Sequence, residues 1–234
     1  MALEYEKILI PSACLAQDTY CDKYLLTTPS RLPQKNIFWV GGRIGEQAYK
    51  ARAATAPEAI FEIARKAKAR YADNSGAGLV VVPCPYRMAG EYSSQELAFR
   101  DYVAKELLPA LGLVPRQICG VIGNSAGAGL AMGLIAAATE RIPMVSIAGV
   151  NMARACARLA CVPKIQEVFC LSHDDDPARP HTRSFLNQLF EWQIPYTFRS
   201  NPGDHSFQSY VDSGGVFDAF LWLFGRVGVG SNEI

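Results

Sequence analysis

Five consecutive residues restrict the folding of this chain more than any others. Gly123-Asn124-Ser125-Ala126-Gly127 follows the apolar run Ile118–Ile122 and precedes Ala128–Thr139, which consists almost wholly of small and aliphatic residues. The first run has the composition of a buried strand and the second that of a buried helix. A chain passing from strand to helix in so few residues must turn very tightly, with the serine at the apex and its Oγ exposed. Glycine is required at 123 and 127, because a side chain there would collide with the neighbouring strand or helix. The helix start adds a partial positive charge and brings the Ala126 N–H beside the serine, where it can donate to an oxyanion. A dinucleotide loop through Gly127 and Gly129 is rejected. Its third glycine would fall on Met132, and no acidic residue ends the next strand.

The rest of the chain repeats this alternation. Lys35–Gly42 reads as a strand running into a glycine pair. Leu79–Pro83 is a continuous apolar strand of the kind buried on both faces. Met144–Gly149, Val168–Leu171 and Tyr196–Phe198 are further strands. Pro57–Tyr71 is helical, with Ile60, Ile63, Ala64, Ala67 and Tyr71 at three- and four-residue spacings. Phe99, Val103, Leu107 and Leu111 form another helical stripe, Ser184–Trp192 turns Phe185, Leu189 and Phe190 inward, and Val216–Phe224 closes the chain. The expected architecture is α/β, one domain over residues 1–234, with a mostly parallel central sheet and helices on both faces. Chemistry is then expected in the loops that follow the strands.

Where this motif carries a nucleophilic serine, its partners follow in the order serine, acid, histidine. The chain has three histidines. His173 and His181 flank the acidic loop Asp174-Asp175-Asp176-Pro177, which leaves His205, just past Tyr196–Phe198, as the base. Those histidines and aspartates crowd one loop, whereas metal ligands are usually spread over fixed elements, so no metal site is expected.

Composition narrows the partners. With 23 basic and 22 acidic residues the net charge is +1, and no basic run exists. Nucleic acid and polybasic membrane attachment are therefore not expected. The N-terminus is acidic where a signal peptide would be basic, and the longest apolar runs, such as Gly76–Pro83, are too short to span a bilayer. These features predict a cytoplasmic protein without a membrane partner. The seven cysteines include no C-x-x-C pair, so they are expected to be reduced and structural. A homo-oligomer is compatible with this composition.

The order GNSAG, then HDDDP after a strand, then NPGDHSF resembles the lid-poor serine esterases of the α/β-hydrolase superfamily, of the esterase D and enterochelin-esterase type. The run FRDYVAKELLPAL resembles that group's helix before the nucleophile strand. The similarity spans about residues 35–225, and residues 1–34 have no counterpart in it. The resemblance implies Ser125 as nucleophile, His205 as base and Asp176, directly before proline, as acid, with Asp175 the alternative. Val40-Gly41-Gly42 stands where the family has a His-Gly pair, so Gly42, or else Arg43, is implied to complete an oxyanion hole with Ala126. Valine here replaces that histidine, and Ala128 stands where many members have a second glycine. The function implied is hydrolysis of a small-molecule carboxylic ester or thioester without a cofactor. The alternatives are a peptidase using the same triad, or an inactive hydrolase-fold binding protein. Val150–Glu167 is too short to hold a helix at Met152–Leu159 and a lid as well. The site should therefore be open, with Tyr86, Met88 and Tyr92 of Pro83–Ser94 as one wall.

Overall fold

The structure is a computed structural model, and it describes residues 5–26, 35–43, 47, 49, 57–71, 77–85 and 95–227. Eight strands form one sheet in the order β1-β2-β4-β3-β5-β6-β7-β8. They are β1 (Tyr5–Ser12), β2 (Gln17–Leu25), β3 (Lys35–Val40), β4 (Ala77–Val82), β5 (Ile118–Asn124), β6 (Ile142–Ile147), β7 (Ile165–His173) and β8 (Tyr196–Asn201). β1 pairs antiparallel with β2, and β2 with β4; every other pairing is parallel.

The apolar runs are continuous because the sheet is covered twice. Phe38, Val40, Val80, Val82, Val121, Met144, Val168 and Cys170 face one core, while Ile37, Trp39, Leu79, Val81, Ile122, Val145, Phe169 and Leu171 face the other. Successive strand residues point to opposite faces, so a strand buried on both sides has no polar alternation. The first core is closed by α2 (Gln95–Tyr102), α3 (Ala126–Ala137), α4 (Met152–Arg158) and α5 (Arg179–Glu191). The second is closed by α1 (Pro57–Lys68), α6 (Phe207–Asp212) and α7 (Gly215–Val227).

Three features depart from the sequence reading. Residues with no counterpart there form the hairpin β1–β2, in which β1 is the edge strand and β2, paired on both sides, is buried along most of its length although it mixes polar and apolar residues. Asp22 of that hairpin is buried, 3.5 Å from the Lys7 ammonium. Phe190, expected to face inward, is 75 % exposed: Phe185 and Leu189 already fill the inner stripe of α5, and residue 190 lies about 100° round the helix from 189. The six-residue α6 is too short to show a period; its start is capped by Ser206, whose side chain accepts from the Ser209 N–H at 3.2 Å.

Between β6 and β7 the chain holds only α4 and a single turn, Val162–Lys164, so no cap is inserted there. Tyr86, Met88 and Tyr92 lie outside the described residues. All seven cysteines are free, and burial pushes the Cys21 and Cys84 thiols up to about 12. No helix among the described residues is long and apolar enough to cross a membrane.

Candidate active site

At the carboxyl end of β5 the chain turns directly into α3 through Ser125, whose φ of 51° and ψ of −123° lie where non-glycine residues are strained. The turn survives because its surroundings leave no alternative. A Cβ on Gly123 would come 2.3 Å from the Ala128 Cα, and one on Gly127 would come 2.2 Å from the Gly41 carbonyl oxygen and 2.4 Å from that of Val40. The Ser125 N–H donates to the Ile147 carbonyl at 2.8 Å, and the Ser125 carbonyl accepts from Ala128 and Val150 at 3.1 and 3.2 Å. Backbone on both sides fixes where Oγ points.

Asp176 and His205 lie on the loops that follow two neighbouring strands. His173 ends β7, Asn201 ends β8, and the two are paired across the ladder. The loops beyond them are tied together, with the Asp174 N–H donating to the Asn201 carbonyl at 3.0 Å and the Asp175 N–H to the Gly203 carbonyl at 3.3 Å. This register places Asp176 and His205 side by side. His205 Nδ1 lies 2.8 Å from Asp176 Oδ1, and His205 Nε2 lies 2.9 Å from Ser125 Oγ. An ionised carboxylate only accepts, so Nδ1 carries the imidazole proton and Nε2 is left to accept from the serine hydroxyl. The arrangement can therefore take a proton from Ser125 and stabilise the resulting imidazolium.

The three aspartates of the loop separate cleanly. Asp176 is buried; its Oδ1 also accepts from the Ala178 N–H at 2.6 Å, and its Oδ2 accepts from the Tyr210 hydroxyl at 2.5 Å. Asp174 points away, toward Ser200 Oγ at 2.6 Å and Arg179 at 2.8 Å. The Ser200 hydroxyl, and then the Arg179 guanidinium, hold its carboxyl below the usual range. Asp175 is exposed.

On the other side of Ser125 stands the end of β3. The Gly41 N–H is engaged with the Val82 carbonyl at 2.9 Å. Gly42 packs so closely that a Cβ there would lie 3.3 Å from the Ser125 Cβ and 3.0 Å from Asn124 Oδ1. Ala126, the first residue of α3, has no carbonyl four residues back within its helix. Arg43 is exposed. Among the described residues no group of three or more His, Cys, Asp and Glu side chains is placed to hold a metal ion.

No protein-family model matches the chain, and no curated protein sequence matches it. Solved structures do share its architecture. FphF, a fluorophosphonate-binding serine hydrolase of Staphylococcus aureus, superposes with a TM-score of 0.64 at 15 % identity, over 96 % of this chain and 99 % of that one. A ferulic acid esterase superposes with a TM-score of 0.65 at 11 % identity, over 97 % of this chain and 98 % of the other. An S-formylglutathione hydrolase from Agrobacterium tumefaciens gives 0.62 at 15 % identity, covering 97 % and 100 %. This is the α/β-hydrolase fold.

Within the hydrolase fold two buried residues at the site were not singled out by the sequence reading. Tyr210 was unassigned, and His173 was read as a histidine flanking the acid loop, whereas it is the fully buried last residue of β7. Its ring stacks on that of Tyr210, with centroids 3.7 Å apart and planes 11° from parallel. Neither residue has a local signal, since His173 owes its place to the pairing of β7 with β8 and Tyr210 to the packing of α6 against His173.

Proposed function

We propose that the chain is a serine hydrolase that cleaves a carboxylic ester or thioester through an acyl-enzyme on Ser125. The observation that carries this reading is the line Asp176–His205–Ser125, with spacings of 2.8 and 2.9 Å, ending on a serine at the apex of a strained strand-to-helix turn. Ser125 Oγ attacks the substrate carbonyl as its proton passes to His205 Nε2. Asp176 fixes the imidazole tautomer and stabilises the imidazolium. The oxyanion takes hydrogen bonds from the Ala126 N–H and from Gly42, each worth about 3 kcal/mol in a dry site. His205 then gives its proton to the leaving oxygen or sulfur, and water repeats the cycle to release the acid. Every step uses groups of the chain itself. The inclusion of thioesters draws on the neighbours, which comprise an esterase and an S-formylglutathione hydrolase.

A fluorophosphonate probe and a series of p-nitrophenyl esters of graded chain length test the reading. The expected result is turnover of short esters, with one phosphonate adduct on the peptide carrying Ser125 that disappears in Ser125→Ala. An adduct on another residue, or neither labelling nor turnover, would overturn it.

A further inference from the structure

We propose that Tyr210 is a positioning residue of this site, clamping the Asp176 carboxylate through Oδ2 while His205 uses Oδ1. The proposal rests on the serine-hydrolase reading and extends it by one residue beyond the triad.

The geometry directs the phenolic proton toward the one charged acceptor in reach. The His173 N–H donates to the Tyr210 oxygen at 3.0 Å, so that contact cannot also receive the Tyr210 proton. The Ser172 side chain is also a hydrogen-bond partner of this hydroxyl, and the charged acceptor is Asp176 Oδ2 at 2.5 Å, a short charge-assisted contact. Tyr210 is itself fully buried, and burial together with its bond to Asp176 pushes its ionisation well above the ordinary tyrosine range, which keeps it a donor. Its ring is held by the stacked imidazole of His173. That imidazole is fixed in turn, with Nδ1 2.9 Å from the Asp204 carbonyl and Nε2 3.2 Å from Ser213 Oγ. Asp204 adjoins His205 in the chain, so His173 and Tyr210 tie the base loop, the acid loop and α6 into one unit.

A carboxylate with one oxygen unclaimed could rotate away from the imidazole. Tyr210 removes that freedom and draws part of the negative charge to Oδ2. The titratable groups around Asp176 are Tyr210 from α6, His173 from β7, and His205 from the base loop. Asp174 and Asp204 are engaged elsewhere, with Ser200 and Arg179 and with Ser206. Stripping the donor from Oδ2 should therefore make Asp176 the stronger partner of the imidazolium, raising the pH at which the acid limb of kcat/KM falls.

The test is the pH profile of p-nitrophenyl acetate hydrolysis by the full chain, its Tyr210→Phe and Asp176→Asn variants, and the double variant. Tyr210→Phe is expected to lower kcat about tenfold with KM within about twofold, and to move the acid limb up by about half a unit. In the Asp176→Asn background the same substitution should change kcat by less than about twofold, because its route of action is gone. Should Tyr210→Phe not fold, 3-fluorotyrosine at 210 keeps the shape and donates more strongly, and should move the limb down. An unmoved acid limb, or an undiminished kcat loss in the Asp176→Asn background, would make Tyr210 merely structural and overturn the inference. Failure of the wild type to label at Ser125 would instead overturn the hydrolase reading, and this inference with it.

Discussion

The turn that carries Ser125 and the two loops that carry Asp176 and His205 meet in one hydrogen-bonded line, but the balance of what holds them differs. The serine turn is held by exclusion. Gly123 and Gly127 have no room for a Cβ, and the strained backbone at Ser125 is pinned by main-chain bonds to Ile147, Ala128 and Val150. The Asp176 and His205 loops share two main-chain bonds, from Asp174 to Asn201 and from Asp175 to Gly203, but beyond those they are held by side chains, with Tyr210, His173, Ser209 and Ser213 filling the space between β7, β8 and α6. Main-chain exclusion tolerates no added atom, whereas a side-chain network can lose one member and settle.

The largest expected effect removes the charge at the junction of the two regions. Asp176→Asn keeps the shape but allows the wrong imidazole tautomer, and should lower kcat by about three to four orders of magnitude. Asp175→Asn, at an exposed neighbour, should stay within about twofold of wild type. Steady-state kinetics on the same ester decides between them, and a greater loss from Asp175→Asn would move the acid by one residue.

This contrast also explains what the sequence could reveal. The serine turn is local: Gly123, Ser125 and Gly127 must be neighbours in the chain, so the motif is visible without a fold. The doubly covered strands are visible for a similar reason, since Leu79–Val82 is apolar at every position. His205 and Asp176 could be named only through the order of elements and the family resemblance. His173 is set by the register of β7 against β8, and Tyr210 by the packing of α6 against His173, neither of which any spacing records. The hairpin β1–β2 carries no continuous apolar signal, since β2 buries Gln17, Thr19 and Asp22 among its apolar residues. Phe190 was misplaced because an apolar side chain beside a filled stripe need not be inside.

The second effect tests exclusion itself. Gly127→Ala puts a methyl group within 2.2 and 2.4 Å of two carbonyl oxygens of the β3 end. Both are backbone atoms in or beside a central strand and cannot swing aside. The expected cost is about 3 kcal/mol or more, which lowers Tm by roughly 6–12 °C in a domain of this size. Displacement of the β3 end would also move Gly42 away from Ser125, so ester turnover should fall with stability. A thermal melt with wild-type Tm would show that the turn has slack and that exclusion is not what holds it.

The smallest effect belongs to the matching glycine of the other region. Gly203 has a φ of +140°, where glycine is favoured, and a Cβ there would meet Ser209 Oγ at 2.3 Å and His173 Nδ1 at 2.5 Å. Those contacts are as short as the ones at Gly127, but they are made by side-chain atoms. Ser209 can turn its hydroxyl away at the cost of its contacts with the Asp204 N–H and His173. Gly203→Ala should therefore cost about 2–3 kcal/mol, from the backbone angle and from the buried His173 ring, which has little room to yield. His173 would be pushed toward Tyr210, and the loop carrying His205 would shift with it. Here kcat should fall more than stability suggests, by about tenfold, since a small misplacement of the base is amplified in the chemical step. Gly203→Ala is thus expected to melt closer to wild type than Gly127→Ala while remaining clearly slower than wild type. If instead it proves as unstable as Gly127→Ala, the loops are as rigid as the serine turn and the distinction between the two regions fails.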